Sequence, residues 1–176
     1  ASLNDEIKKL AITVNSVSKT YAMTGWRIGY CGASKDIISA MEILQSHSTS
    51  NPSSIAQMAA IEALNGPQDS VKQRVKAFDE RRKFMHKRIN EIDGISCVEP
   101  EGAFYVFADI SKLGMTSMKF ASKLLEEALV AVVPGIAFGW DSHIRLSYAT
   151  SMHEIERGLN RLDKWVMQQT ANHKVT

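Results

Sequence analysis

Cysteine is scarce in this sequence. Only two of the 176 residues are cysteine, Cys31 and Cys97, and neither has a partner at the spacing of a redox or metal motif. We therefore expect both to be reduced thiols in a cytoplasmic protein. The five histidines also lack zinc-type spacing, so the sequence predicts no metal site.

Strong charge and long apolar runs are missing as well. The formal net charge is +2, which is too small to indicate a partner such as nucleic acid or an acidic membrane surface. No apolar stretch approaches the roughly 20 residues that cross a bilayer. The first residues are polar and charged, so no signal peptide is expected. A hydrophobic share of 44% is instead typical of a soluble globular protein.

Apolar patterning predicts an α/β chain in two parts that a long helix connects. An apolar run at 10–14 leads into a polar turn and indicates a buried strand. The helix that follows Pro67 carries a one-sided apolar stripe, which is typical of a helix packed on a core. The elements predicted before residue 94 are strands at 10–16 and 26–32 and helices at about 35–48, 52–65 and 67–93.

The second part has a β-β-α-β-β-α pattern. Its two helices are expected to pack on one face of a small, mostly antiparallel sheet. The last helix begins at a capping box formed by Ser151 and Glu154, and its apolar residues repeat at helical spacing from Ile155 to Val166. Strands are predicted near 95–98, 103–107, 129–133 and 143–148, and the first helix over about 117–128.

The first part looks incomplete by comparison. A buried parallel strand needs neighbours, yet we find only one convincing strand before residue 94. The sequence also begins at Ala1 rather than at a methionine. We therefore expect a piece of a larger protein.

Residues 16–30, SVSKTYAMTGWRIGY, carry the strongest chemical signal. An aldehyde cofactor needs an uncharged amine, and desolvation or a nearby positive charge favours that form of a lysine such as Lys19. Arg27 offers a fork of donors that suits a phosphate, and Ser16 and Ser18 add hydroxyl groups. The alternative is that Lys19 and Arg27 are solvated charges beside a turn.

Arg145 is the second candidate, because it interrupts an apolar strand. A charge in such a run is costly unless it is paired. It could therefore bind an anionic ligand. The alternatives are an arginine at a strand edge that faces water, or one paired with a structural carboxylate.

Both candidates lie in segments that resemble one known family. Residues 18–30 closely resemble the cofactor-lysine segment of class I aminotransferases, which are fold type I pyridoxal-phosphate enzymes. Residues 132–135, 138–139 and 144–147 resemble the carboxyl-terminal signature of the same family. The resemblance covers about residues 7–166 and is strongest to the bacterial aspartate and aromatic aminotransferase branch.

The resemblance implies a fold and a set of roles. Residues 1–75 would be the end of the large cofactor-binding domain, and 76–176 the small α+β domain. Lys19 would form the Schiff base with pyridoxal 5'-phosphate and shuttle the proton as an amino group moves between aspartate, or a similar amino acid, and a 2-oxo acid. Arg27 would bind the cofactor phosphate together with Ser16, and Arg145 would clamp the substrate α-carboxylate.

The resemblance also implies partners and limits. In the family, the segment that matches 46–57 lies near the interface of a homodimer, although Asn51 could simply cap the helix opened by Pro52. The half that supplies the partner of the pyridine nitrogen is missing, so this chain alone is expected not to transaminate. Three alternatives stay open, namely an aminotransferase-like ligand-binding domain of a regulator, another fold type I pyridoxal-phosphate enzyme, and a small structural domain.

Overall fold

The computed structural model describes residues 1–173, which divide into two compact units. The first unit runs to Gln73 and the second begins at Arg74. No helix within residues 1–173 is long and apolar enough to cross a bilayer.

The first unit combines a two-stranded antiparallel sheet with helices. Its strands pair over their whole length, with Thr13 opposite Gly32 and Ser16 opposite Gly29. Residues 17–28 form a long connection between the two strands, and we call the end of the hairpin where this connection lies its closed end. The elements are α1 (Asp5–Leu10), β1 (Thr13–Ser16), β2 (Gly29–Gly32), α2 (Lys35–Ser48) and α3 (Ser54–Asn65), and α4 (Asp69–Asn90) begins in this unit and continues into the next.

The prediction of a buried strand at 10–16 is wrong. Leu10 ends helix α1, and the strand starts only at Thr13. Leu10 and Val14 are 88% and 76% exposed. The physical reason is that β1 pairs only with β2 among the described residues, so a two-stranded sheet leaves its side chains without a second layer.

The predicted start of α3 is also wrong. Its N-cap is Ser53, so neither Asn51 nor Pro52 opens the helix. Ser50 has a left-handed backbone with φ of 62°, which turns the chain after α2. The carbonyl oxygen of Pro52 accepts a hydrogen bond of 2.9 Å from the side-chain amide of Gln57, which keeps Pro52 outside the first helical turn.

A small hydrophobic core packs against both ends of the connection between β1 and β2. Val17 is fully buried at its start, and Ile28 is buried at its end. Both pack with Ala56 and Ala60 of α3. The backbone that carries the residues between them is therefore anchored at both ends.

The second unit is built on a four-stranded antiparallel sheet with strand order β3-β4-β6-β5. The predicted antiparallel sheet with helices is confirmed. Strand boundaries differ. The strand predicted at 103–107 runs from Tyr105 to Asp109. The strand predicted at 129–133 is confined to Val133–Pro134, because Leu129 caps the preceding helix with φ of 56°. The elements are β3 (Ser96–Cys97), β4 (Tyr105–Asp109), α5 (Ser117–Ala128), β5 (Val133–Pro134), β6 (His143–Ser147) and α6 (Met152–His173).

Alternation along the two central strands separates a core face from an outer face. Val106 and Ala108 of β4 and Ile144 and Leu146 of β6 are buried in the main core. Because successive side chains of a strand point to opposite faces, the residues between them lie on the outer face of the sheet. Those outer residues are Tyr105, Phe107, His143, Arg145 and Ser147.

Helices α5 and α6 complete this core. Phe120 of α5 is fully buried and meets Trp165 of α6 edge to face, with ring centroids 5.0 Å apart. The Trp165 indole Nε1 donates a 2.6 Å hydrogen bond to Glu127 Oε2, which lowers the pKa of that carboxyl. The apolar stripe predicted for the last helix is confirmed, since its residues Ile155, Leu159, Leu162 and Val166 are all buried.

Replacing Phe120 by alanine is expected to lower the free energy of unfolding by about 3–5 kcal/mol, because the lost ring leaves a cavity between α5 and α6. Urea unfolding followed by circular dichroism measures the change. Met118→Ala is the matched control on the same helix, because Met118 is 54% exposed. A loss below about 1 kcal/mol for Phe120→Ala would contradict the core described here.

Candidate functional site

Lys19 lies in a tight turn just after the paired end of β1. Backbone hydrogen bonds from Ala22 N to Lys19 O (3.2 Å) and from Met23 N to Ser18 O (3.0 Å) close this turn. The Lys19 side chain is exposed. The fixed backbone therefore presents the amine at one end of the hairpin.

Arg27 approaches the same end from the other side. An extended residue spans at most about 3.6 Å, so the Lys19 Cα lies within roughly 11 Å of Ser16, and the Arg27 Cα within roughly 7 Å of Gly29. Since Ser16 and Gly29 are paired, the hairpin gathers both cationic residues at its closed end. Both residues therefore lie in the 17–28 connection at the same end of the hairpin.

The Arg27 guanidinium keeps most of its donors available. Its Nη1 donates a 2.9 Å hydrogen bond to the carbonyl oxygen of Thr24, and no other hydrogen bond or ion pair joins it to residues 1–173. The Arg27 backbone is left-handed, with φ of 53°. A guanidinium carries five N–H donors in a planar fork, so an anion can still be bound bidentately.

The two serines before Lys19 form a small hydroxyl pair. The Ser16 Oγ accepts from Ser18 N at 3.0 Å and lies 2.7 Å from Ser18 Oγ and 3.1 Å from the Ile28 carbonyl oxygen. Because a hydroxyl carries one proton, Ser16 donates to only one of these two oxygens at a time. The two hydroxyls therefore form one hydrogen-bonded pair immediately before Lys19 in the sequence.

Arg27 lies at a cleft whose donors suit an anion, whereas Lys19, Ser16 and Ser18 do not line that cleft. Arg27 lines an open cleft of about 710 Å³ whose other wall includes Ser53 and Ile55 at the start of α3. The Ser53 side chain makes no capping hydrogen bond, so the positive end of the α3 dipole faces the cleft without a side-chain cap. The donor chemistry, a guanidinium, a hydroxyl and backbone N–H groups, is that of an anion site.

Arg145 occupies a different environment, on the outer face of the second unit. Its Cζ lies 4.2 Å from the ring centre of Tyr105 and 4.5 Å from that of Phe138. It is half-buried, and no hydrogen bond or ion pair joins its guanidinium to any residue from 1 to 173. Two aromatic rings therefore cover the cation while its N–H edge remains available.

Both alternatives considered for Arg145 are wrong. Its strand β6 is flanked by β4 and β5, so Arg145 is not at a sheet edge. No structural carboxylate lies within ion-pair distance of it in the described part of the chain. Arg145 instead lines a cavity of about 150 Å³ together with Tyr105, Val132, Val133 and Ser147.

Sequence reasoning missed the aromatic partners of Arg145. Tyr105 lies opposite Ser147 in the β4–β6 pairing, two residues from Arg145 on the same face. Phe138 reaches the guanidinium from the loop before β6. The alternation of β4 contained a signal for Tyr105, whereas the position of Phe138 depends on how its loop folds.

Comparison with known proteins identifies the class. The family described as aminotransferase class I and II matches residues 1–162 of this chain. The chain therefore belongs to the class I and II aminotransferases, and the expected family is confirmed.

Particular relatives agree with the expected branch of the family. The chain is 50% identical over 171 residues to an aspartate aminotransferase of Bacillus sp. (strain YM-2), with 94% of this chain and 44% of the relative covered. It is 49% identical over 176 residues to a probable aspartate/prephenate aminotransferase of Rickettsia conorii, at the same coverages of 94% and 44%. The chain thus spans less than half the length of these relatives.

Solved structures resemble the fold as well. The aspartate aminotransferase of Rhizobium meliloti matches with a TM-score of 0.87 and 47% identity, over 90% of this chain and 42% of that one. An aromatic aminotransferase of Pyrococcus horikoshii matches with a TM-score of 0.90 and 40% identity, over 95% and 46%. The fold type I assignment is confirmed by these neighbours.

Proposed function

We propose that this chain is the carboxyl-terminal part of a pyridoxal-phosphate aminotransferase acting on aspartate or a similar amino acid and a 2-oxo acid. The observation that carries the proposal is that the connection between β1 and β2 holds both Lys19 and Arg27 at one end of the hairpin, in a chain that belongs to this family. We assign residues 1–75 to the large cofactor-binding domain and 76–176 to the small domain.

The cofactor phosphate is assigned to Arg27, with Ser18 and Ser16 as hydroxyl partners. The open donors of the Arg27 fork and the uncapped start of α3 support this assignment. When bound, pyridoxal phosphate supplies an aldehyde and an electron sink. Arg27 would hold that phosphate and so tether the cofactor to the unit that carries Lys19.

Lys19 is assigned two roles at one atom, Nζ. With the cofactor bound, the uncharged Nζ would be its point of covalent attachment, water being the group that leaves the aldehyde. Once the incoming amino acid had displaced it, the same Nζ would hold and move the proton of the substrate α-carbon. The tight turn at 17–23 supports these roles, because it holds the Lys19 backbone still.

Arg145 is assigned to the substrate α-carboxylate. The Tyr105 and Phe138 rings, 4.2 and 4.5 Å from the Arg145 Cζ, exclude water from part of the guanidinium, which strengthens its attraction for an anion. A carboxylate matches the N–H edge of the guanidinium through two parallel N–H···O bonds. The small cavity beside Arg145 admits such a group.

We also propose that the full-length protein is a homodimer. Large apolar side chains stand exposed on α2 and α3, including Ile43 at 61%, Leu44 at 72%, Ile55 at 72% and Met58 at 65%. Exposed apolar patches of this kind mark interaction surfaces. Light scattering is expected to give twice the subunit mass, and a monomer at micromolar concentration would contradict the proposal.

Borohydride trapping tests the proposed function. The gene product that contains these residues is loaded with pyridoxal phosphate, reduced, digested and searched for the pyridoxyl mass. The label is expected on Lys19, with the other lysines of the chain as internal controls. The isolated 176-residue chain, assayed beside it, is expected to show no turnover. A label on another lysine would overturn the role of Lys19.

A further inference from the structure

The loop that carries Phe138 is compact and tied to itself. Gly139 N donates to Ile136 O at 3.0 Å, and Trp140 N donates to Gly135 O at 3.0 Å. A Cβ on Gly135 would stand 2.2 Å from the Trp140 carbonyl oxygen, so only glycine fits there. The loop therefore folds back closely on its own first residue.

One buried serine joins both ends of this loop. Ser117, the first residue of α5, is fully buried. Its Oγ donates to Asp141 Oδ1 at 2.6 Å and accepts from Ile136 N at 3.1 Å. Its backbone N–H donates to the Asp141 carbonyl oxygen at 2.8 Å and to Oδ1 at 3.0 Å. The two ends of the loop are thus fixed to a single point on α5.

The Asp141 carboxylate suits this place electrostatically. It accepts its hydrogen bonds at the first turn of α5, where the helix dipole presents partial positive charge. Hydrogen bonds to an ionised acceptor are stronger than neutral ones, and a buried hydroxyl that loses its partner is costly. The hydrogen bonds between Ser117 and Asp141 are therefore expected to contribute most to holding the loop on α5.

Phe138 depends on this attachment for its position. Phe138 is 48% exposed, and its ring centre lies 4.5 Å from the Arg145 Cζ and 6.0 Å from the ring centre of Phe107. A half-exposed side chain on a loop is held by its backbone more than by packing around it. The hydrogen bonds of Ser117 fix that backbone.

We propose that Ser117 and Asp141 are positioning residues for the Arg145 site. They hold the loop so that Phe138 covers one face of the guanidinium, which leaves only the N–H edge open to a ligand. This inference rests on the proposed carboxylate-binding role of Arg145, but the contact itself is tested without substrate or turnover.

Labelling of arginines with phenylglyoxal, followed by peptide mass mapping, tests the proposal on the chain itself. Ser117→Ala and Asp141→Ala are each expected to raise the labelling rate of Arg145 about tenfold relative to Arg157, because the loop opens more often. Asp141→Asn keeps an oxygen at Oδ1 and is expected to restore a rate close to that of the parent chain.

The matched control is Thr116→Ala. Thr116 caps the same helix and accepts from Lys119 N at 3.3 Å, but it makes no bond to the loop. Its removal is expected to leave the Arg145 rate unchanged. An equal rise in Thr116→Ala would overturn the proposal, because general loosening of α5 would then explain the effect.

A further variant covers the case in which Ser117→Ala fails to fold. Phe138→Ala leaves the hydrogen bonds of Ser117 intact and removes only the ring, and it is expected to raise the Arg145 rate by a similar factor. An unchanged Arg145 rate in Phe138→Ala, or in folded Ser117→Ala and Asp141→Ala, overturns the proposal. Failure of borohydride trapping at Lys19 would instead concern the proposed function alone.

Discussion

Lys19→Arg is expected to abolish transamination by the gene product that contains these residues, with kcat falling by at least about 10⁴-fold. A guanidinium stays protonated throughout the working pH range, so it neither attacks an aldehyde nor accepts a proton from carbon. The substitution keeps the positive charge and the length of the side chain at an exposed position. A coupled assay of 2-oxo acid formation measures the loss.

The control for this experiment is Lys35→Arg. Lys35 is also exposed in the first unit, at the start of α2. It is expected to retain the activity of the parent protein, which separates the role of Lys19 from a general effect of replacing lysine. Activity in Lys19→Arg above about one hundredth of the parent value would contradict the assigned role.

Arg145→Lys and Arg145→Ala are expected to lower kcat/KM for the amino acid by about 10²- to 10³-fold. Two charge-assisted hydrogen bonds to the carboxylate contribute roughly 3–4 kcal/mol together, and each 1.4 kcal/mol is tenfold. Lysine keeps the positive charge but lacks the planar fork of donors, so kcat/KM of Arg145→Lys is expected to be close to that of Arg145→Ala. Steady-state kinetics with varied amino acid measures the change.

A substrate lacking the carboxylate provides the sharpest comparison. An amine that has no α-carboxylate gains nothing from Arg145, so the parent protein and Arg145→Ala are expected to process it equally slowly. Arg161→Ala, at an exposed position on α6, serves as the matched variant and is expected to be neutral. If Arg145→Ala slowed the amine as much as the amino acid, its carboxylate role would be excluded.

Local patterns predicted the second unit well. The stripe of α6 was visible because helical periodicity depends on near neighbours in sequence, and its residues Leu159 and Leu162 are buried as expected. The outer-face position of Arg145 follows from strand alternation in the same way. Alternation along β4 indicated the face on which Tyr105 lies, but the contact of Tyr105 with Arg145 depends on strand pairing and that of Phe138 on a loop, so neither contact could be predicted.

The first unit was predicted less accurately, for a related reason. An apolar run such as 10–14 indicates burial only if another layer covers it, and the sequence of the run does not contain that layer. The start of α3 was misplaced because Pro52 is compatible with a first helical turn, whereas the observed cap depends on the bend at Ser50. For Lys19 and Arg27, patterning alone left both interpretations open, and the resemblance to the family is what favours the assignment to the cofactor.

The left-handed backbone at Arg27 bears on how this protein could be altered. A residue with a side chain pays about 1–2 kcal/mol for that conformation, and glycine does not. A search for variants with a higher melting temperature, guided by backbone conformation alone, would therefore select glycine at position 27. It would also remove the guanidinium that we assign to the cofactor phosphate, so selection for heat resistance and selection for turnover would favour different residues at this position.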